Sequence, residues 1–207
     1  MKIHPSFYAS VLMVASISSA TAASMPAKAA ICASCHGAEG NSTISEYPSL
    51  AGQRALYLKR QLQAFRAAAT NDHQNGRQDP VMSAMAATLS DAEINELSEY
   101  YARQEPSAAS AVNKVNREGK KLFLGGDLSR DIAACAACHG ADGKGMAAAG
   151  FPAIAGQHQD YLSAQLQAFR SGKRKDDYQG MMQDTCSKLT DDDIQALAQY
   201  MAQLPHK

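Results

Sequence analysis

Hydrophobic positions recur with helical spacing at two places far apart in the 207-residue chain. Leu58, Leu62 and Phe65 share one helical face, and Leu162, Leu166 and Phe169 share another. Later in each half, Ile94, Leu97 and Tyr101, and then Ile194, Leu197 and Met201, mark a second apolar face. Ser90 with Glu93, and Thr190 with Asp193, read as helix N-caps with an acidic first turn. No run alternates as a half-buried strand would. The pattern predicts an all-α chain.

The N-terminus follows a different logic. Lys2 and His4 are weakly basic, Phe7 to Ile17 is apolar and uncharged, and Ala20-Thr21-Ala22 supplies small residues at the positions a signal peptidase needs. Residues 1–22 are therefore expected to be a cleaved signal peptide, and the mature protein to lie outside the cytoplasm. The alternative, a membrane anchor, asks for roughly 18 apolar residues, and this run is shorter and interrupted by Ser.

The matching hydrophobic faces belong to a repeat. Residues 51–66 read AGQRALYLKRQLQAFR and residues 155–170 read AGQHQDYLSAQLQAFR, identical at 11 of 16 positions. The helices match at an offset of 104, the cysteine motifs described below at 103, and Leu89-Ser90-Asp91 with Leu189-Thr190-Asp191 at 100. The same parts recur in the same order, and only loop lengths drift. The chain is expected to be a tandem duplication: a first domain over 23–106, a linker over 107–111 of Ser/Ala composition, and a second domain over 112–207.

Charge adds little. Lys and Arg number 20 and Asp and Glu number 20, so no basic face suggests nucleic acid as a partner. Cysteine adds a great deal. Four of the five cysteines fall in Cys32-Ala33-Ser34-Cys35-His36 and Cys135-Ala136-Ala137-Cys138-His139. Two residues between the thiols let both sulfurs reach the two vinyl groups on one edge of a haem, and the next residue, His, is delivered to the iron. Cys32, Cys35, Cys135 and Cys138 are thus candidate anchors of two covalently bound haem c groups, with His36 and His139 as metal ligands. A thioredoxin-like redox pair or a zinc half-site is the alternative for a single motif. Two copies in matched repeats of an exported chain favour haem. Each unit is small for an independent core, and a buried haem would add on the order of 10 kcal/mol of apolar burial.

A second axial ligand must come from elsewhere in each half. Met82 and Met85 are the candidates in one, Met181 and Met182 in the other. Aligning Leu89 on Leu189 superposes Met82 on Met182, whereas Met85 falls on Thr185 and Met181 on Val81. Met82 and Met182 are therefore the expected ligands, against the alternative that they fill core space. A thioether favours ferrous iron and raises the potential.

On the two C-x-x-C-H-G segments, Pro48 and Pro152 ahead of Ala-Gly-Gln, the Gln-Leu-Gln-Ala-Phe-Arg helices and the Met before Leu-Ser-Asp or Leu-Thr-Asp, the chain resembles the cytochrome c4 family of dihaem periplasmic electron carriers. The resemblance covers essentially all of the mature chain. It implies two cytochrome c domains related by a pseudo-twofold, with haem propionate edges facing one another. It also implies redox proteins as partners, among them membrane respiratory complexes and a cbb3-type terminal oxidase, and a soluble or peripherally membrane-associated periplasmic location. Departures are a short approach to Cys32, where the second half has Gly119-Lys120-Lys121-Leu122-Phe123 as a first helix, and Cys186, four residues after Met182. Cys186 reads as a small core residue in preference to a redox group.

Other residues carry weaker expectations. Tyr57 with Tyr161, and Arg66 with Arg170, recur; the tyrosines could approach a haem edge and the arginines a propionate, or both could be ordinary helix surface. Pro48 and Pro152 are placed beneath the His ligands. His73, His158 and His206 have no repeat partner and are expected at the surface, and Lys173-Arg174-Lys175 is expected to be a solvated turn. With both irons ligated by His and Met, outer-sphere electron transfer leads, without a catalytic residue. The alternatives are a dihaem oxidoreductase such as thiosulfate dehydrogenase, and the dihaem cytochrome subunit of a flavocytochrome sulfide dehydrogenase.

Overall fold

A computed structural model describes residues 25–70, 76–108 and 115–206. The expected signal peptide, most of the linker and His73 lie outside the described residues. Among them, regular structure is helical, apart from the isolated bridges Asp127–Ile132 and Met146–Phe151.

The first half contains α1 (Ala29–His36), α2 (Ala55–Thr70), α3 (Pro80–Ala86) and α4 (Asp91–Arg103). The second contains α5 (Arg117–Gly125), α6 (Ala136–His139), α7 (Gln159–Arg170), α8 (Met181–Ser187) and α9 (Asp191–Gln203). The predicted starts of α4 and α9 are reciprocal capping boxes: Ser90 and Glu93, and Thr190 and Asp193, satisfy each other's terminal N–H groups. α2 packs on α3 and α4, and α7 on α8 and α9. No helix among the described residues is long and apolar enough to cross a membrane.

Each half has its own core. Leu58, Phe65, Ile94, Leu97 and Tyr101 are buried in the first, and Leu162, Leu166, Phe169, Ile194 and Leu197 in the second. The second core is the larger because α5 and the loop after it add Phe123 and Ile132, 0% and 1% exposed. α5 crosses α9 at close range: a Cβ on Gly119 would lie 2.0 Å from the Ala196 carbonyl oxygen. At the position of Ala196 the first half carries Glu96, which is exposed. A charged side chain suits a helix face that no α5 counterpart covers among the described residues.

The halves meet through reciprocal bonds. Gln53 donates from Nε2 to the Ala153 carbonyl (2.8 Å) and accepts from the Ala153 N–H (2.8 Å). Gln157 does the same to Ser49, at 2.9 and 2.9 Å. These are matched residues of the repeat used once in each direction, so a pseudo-twofold relates the halves.

Candidate functional site

Both C-x-x-C-H segments sit at helix ends. His36 closes α1 and His139 closes α6, and Gly37 and Gly140 follow with φ of 82° and 79°. A side chain at Gly37 would also meet the Asn41 carbonyl oxygen at 2.3 Å, which accounts for glycine after this histidine. The chain then turns so that the Pro48 carbonyl lies 2.9 Å from His36 Nδ1, and the Pro152 carbonyl 3.0 Å from His139 Nδ1. A carbonyl can only accept, so Nδ1 carries the proton and Nε2 presents its lone pair. Burial pushes both imidazoles towards the neutral form, against the smaller opposing effect of the proline carbonyls. A neutral ring is what a metal ligand requires.

The two histidines, the four motif cysteines, Met82 and Met182 all line one continuous cavity of about 780 Å³ that runs across both halves. Met82 and Met182 are half-buried against their respective cores. Aspartates fix the helices that carry them. Asp79 accepts from the Val81 and Met82 N–H groups at 3.0 and 2.8 Å. Asp177 accepts from Met182 and Gln183 at 2.8 and 3.1 Å. Met85 and Met181 also border the cavity but are 45% and 38% exposed.

The donor set fits haem and does not fit the alternatives for C-x-x-C. Burial raises the thiol pKa of Cys32 and pushes that of Cys135 up to about 11, so neither of these two is an activated nucleophile. No group of three His, Cys, Asp or Glu among the described residues could hold a metal ion. Paired thiols at one edge, a neutral imidazole behind them and a thioether on a separate helix, around a largely apolar space, match a covalently attached porphyrin.

Several residues fall elsewhere than the sequence predicts. Arg66 and Arg170 do not border the cavity. They donate to the Leu89 and Leu189 carbonyls (2.7 and 3.0 Å) and pair with Asp91 and Asp191. They brace the turn before α4 and α9. Arg174, expected in a solvated turn, is 7% exposed, and its guanidinium reaches across to Tyr57 and Gln61 of the first half. His158 is half-buried, with Nε2 3.0 Å from the Ser42 carbonyl in the other half, and His206 is half-buried against Gly156. Tyr57 and Tyr161 do reach the cavity, each as acceptor for an arginine of the other half. Asp79, Asp177 and Arg77 carry no signal in the repeat, because they stand in loops of unequal length where no single register pairs them with their counterparts.

A family model for cytochrome c matches residues 26–103 and again 117–205. Cytochrome c4 of Stutzerimonas stutzeri is 39% identical over 177 residues, covering 84% of each chain. A thiosulfate dehydrogenase electron acceptor of Thiomonas intermedia is 38% identical over 187 residues, covering 88% of this chain and 82% of its own. The crystal structure of reduced recombinant cytochrome c4 from Pseudomonas stutzeri superposes with a TM-score of 0.81 at 38% identity, covering 86% of this chain and 95% of that one.

Two helical units, each built around its own C-x-x-C-H segment, define a c-type cytochrome with two haem sites. The chain belongs to the cytochrome c4 family. It carries two covalently bound haem c groups, on Cys32 with Cys35 and on Cys135 with Cys138, and it is an electron carrier.

Proposed function

We propose that the protein is a periplasmic carrier that accepts and donates single electrons by outer-sphere transfer, on the path towards a terminal oxidase. His36 with Met82 would hold the iron of the first haem, and His139 with Met182 that of the second. When bound, each haem supplies a one-electron couple; the chain's own residues position it, tune it and exclude water. The observation that carries this reading is the matched pair of methionines, each on a short helix held by an aspartate at its start and each bordering the cavity. With a histidine and a methionine held ready for each haem, neither iron would be left free to take a substrate. Domains over 23–106 and 112–207, joined by 107–111, and removal of residues 1–22 on export, belong to the same proposal.

Spectroscopic redox titration of Met82→Ala and Met182→Ala beside the wild type tests it. Two low-spin haems are expected in the wild type, with one altered in each variant. Unchanged spectra in either variant would place the ligand on another sulfur, and a high-spin haem in the wild type would overturn the carrier reading. A second reading concerns the donor. The similarity to a thiosulfate dehydrogenase electron acceptor favours an enzyme oxidising a sulfur compound as an electron source. Stopped-flow reduction of the purified protein by such an enzyme distinguishes this from reduction by membrane respiratory complexes.

A further inference from the structure

The cavity crosses the interface between the halves, and a polar network lies there. Arg77 and Arg174 are structural counterparts: the Arg77 guanidinium lies 4.7 Å from the Phe65 ring centroid, and that of Arg174 lies 4.4 Å from Phe169. Each reaches into the opposite half. Arg77 donates to Tyr161 Oη (3.1 Å) and Gln165 Oε1 (2.7 Å), and Arg174 donates to Tyr57 Oη (3.1 Å) and Gln61 Oε1 (2.9 Å). Each also donates to the glutamine of its own half. The arrangement is a twofold in side chains, with one exception.

The exception is Asp176. It accepts from Arg174 Nε at 2.9 Å and from Gln61 Nε2 at 2.7 Å. The Arg174 and Asp176 side chains are only 8% and 3% exposed. Among the described residues no carboxylate is paired with Arg77, and the loop from Arg77 to Asp79 is one residue shorter than that from Arg174 to Asp177. Asp79 and Asp177 are matched and balance each other. Lys28, Glu46 and Arg60 also border the cavity, but all three are exposed, so solvent screens them. Burial by itself would favour the neutral carboxyl of Asp176, but Arg174 and then Arg77 and Gln61 hold it below the usual carboxylate range. It is therefore a fixed negative charge largely withdrawn from bulk solvent.

We propose that Asp176 sets the two haems apart: its carboxylate lowers the midpoint potential of the haem on Cys135 and Cys138 more than that of the haem on Cys32 and Cys35. A negative charge in a low-dielectric site favours the more positive, oxidised iron. The assignment to the second haem follows from position: Asp176 is joined to Arg174, which packs on the second core, and directly precedes the aspartate that holds the Met182 helix. Asp176 is a positioning and tuning residue, since it touches neither thioether nor imidazole. The inference deepens the carrier reading and rests on both haems being in place.

The test is spectroelectrochemical titration of the holoprotein, with the two haems told apart by NMR signals assigned through His36 and His139. Asp176→Asn keeps the size of the side chain and removes its charge. It is expected to shift the equilibrium for an electron between the haems at least about threefold towards the second haem, about 28 mV at about 59 mV per decade. Asp176→Glu should return the value to near wild type. Asp184→Asn, which removes an exposed charge of the same half, should leave it unchanged. Equal shifts of both haems, no shift, or a shift in Asp176→Glu as large as in Asp176→Asn would overturn the proposal. Loss of the methionine-ligand signature in the wild type would overturn the carrier reading instead, while the Asp176 shift could still be read from the same titration.

Discussion

Cys186 illustrates what burial does to a reactive group. It lies 0% exposed in the second core, four residues after Met182 and on the same helix. Burial pushes its thiol up to about 12, so almost no thiolate exists near neutral pH, and the thiolate is the nucleophile. Iodoacetamide at pH 8 should therefore leave Cys186 unmodified in the folded holoprotein and label it readily after unfolding, as read by mass spectrometry. Cys186→Ala should cost about 1 kcal/mol of lost apolar burial, and Cys186→Ser more, because a hydroxyl would then sit among apolar neighbours. Fast labelling of the native protein would show that the residue is open to solvent. Arg66 and Arg170 make the complementary point. The repeat singles them out correctly as residues with a shared task, but recurrence does not reveal which task. Their guanidiniums serve the carbonyls of Leu89 and Leu189, partners that become neighbours only once the helices pack.

At the scale of elements, the helices were legible because their causes are local. Apolar spacing sets α2 and α7, and apolar spacing with the Ser90 and Thr190 capping boxes sets α4 and α9, each through residues only a few positions apart. The end of α9 that carries Thr190 is also tied across the fold, since Arg130 pairs with Asp193 at 2.6 Å and with Asp127 at 2.7 Å. Arg130, in the loop between α5 and α6, thus fastens that loop to the start of α9. The Arg130 hydrogen bond first, and the Thr190 backbone and hydroxyl after it, lower Asp193 to about 2. A carboxyl depressed on folding contributes stability above its unfolded pKa and loses it as pH falls through the folded value. The contribution of Asp193 is thus complete above about pH 4 to 5 and fades towards pH 2. Asp193→Ala should lower stability at pH 7 by about 1 to 2 kcal/mol through loss of the cap, and the gap from wild type should narrow in acid. Urea unfolding of the second half at pH 7 and pH 3 measures both quantities; a gap that is constant with pH would rule out this role. The first half keeps the capping box, in Ser90 and Glu93, yet the basic partner of Glu93 among the described residues is Lys28, at 3.8 Å, in place of an arginine held at 2.6 Å. The two halves therefore share a helix start and differ in how it is fastened to the rest.

The whole molecule is where sequence reading met its limit. A repeat predicts two similar units, but the interface between them depends on loops whose lengths differ. Phe65 to Arg77 spans 12 residues and Phe169 to Arg174 spans five, so the two arginines that end up side by side share no register. The Ala-Gly-Gln segments were visible as matched, and their use was not, because a glutamine that satisfies another domain's backbone looks in sequence like any polar turn residue. In the fold, Gln53 and Gln157 are 8% and 7% exposed, and each makes two bonds to main chain of the opposite half. Truncation of either would leave a buried N–H and a buried carbonyl without partners, which costs about 1 to 3 kcal/mol for each group left unsatisfied. Most of that cost falls on the interface, because two of the partners of each glutamine lie in the opposite half, while one, the Arg54 or His158 N–H, lies in its own. Gln53→Ala with Gln157→Ala should therefore uncouple the halves without unfolding them. Scanning calorimetry of the holoprotein should resolve two transitions in the double variant where the wild type is more cooperative. The first half, with its smaller core, should melt at the lower temperature. A single transition at reduced temperature would instead mean that the glutamines support the folding of the domains themselves.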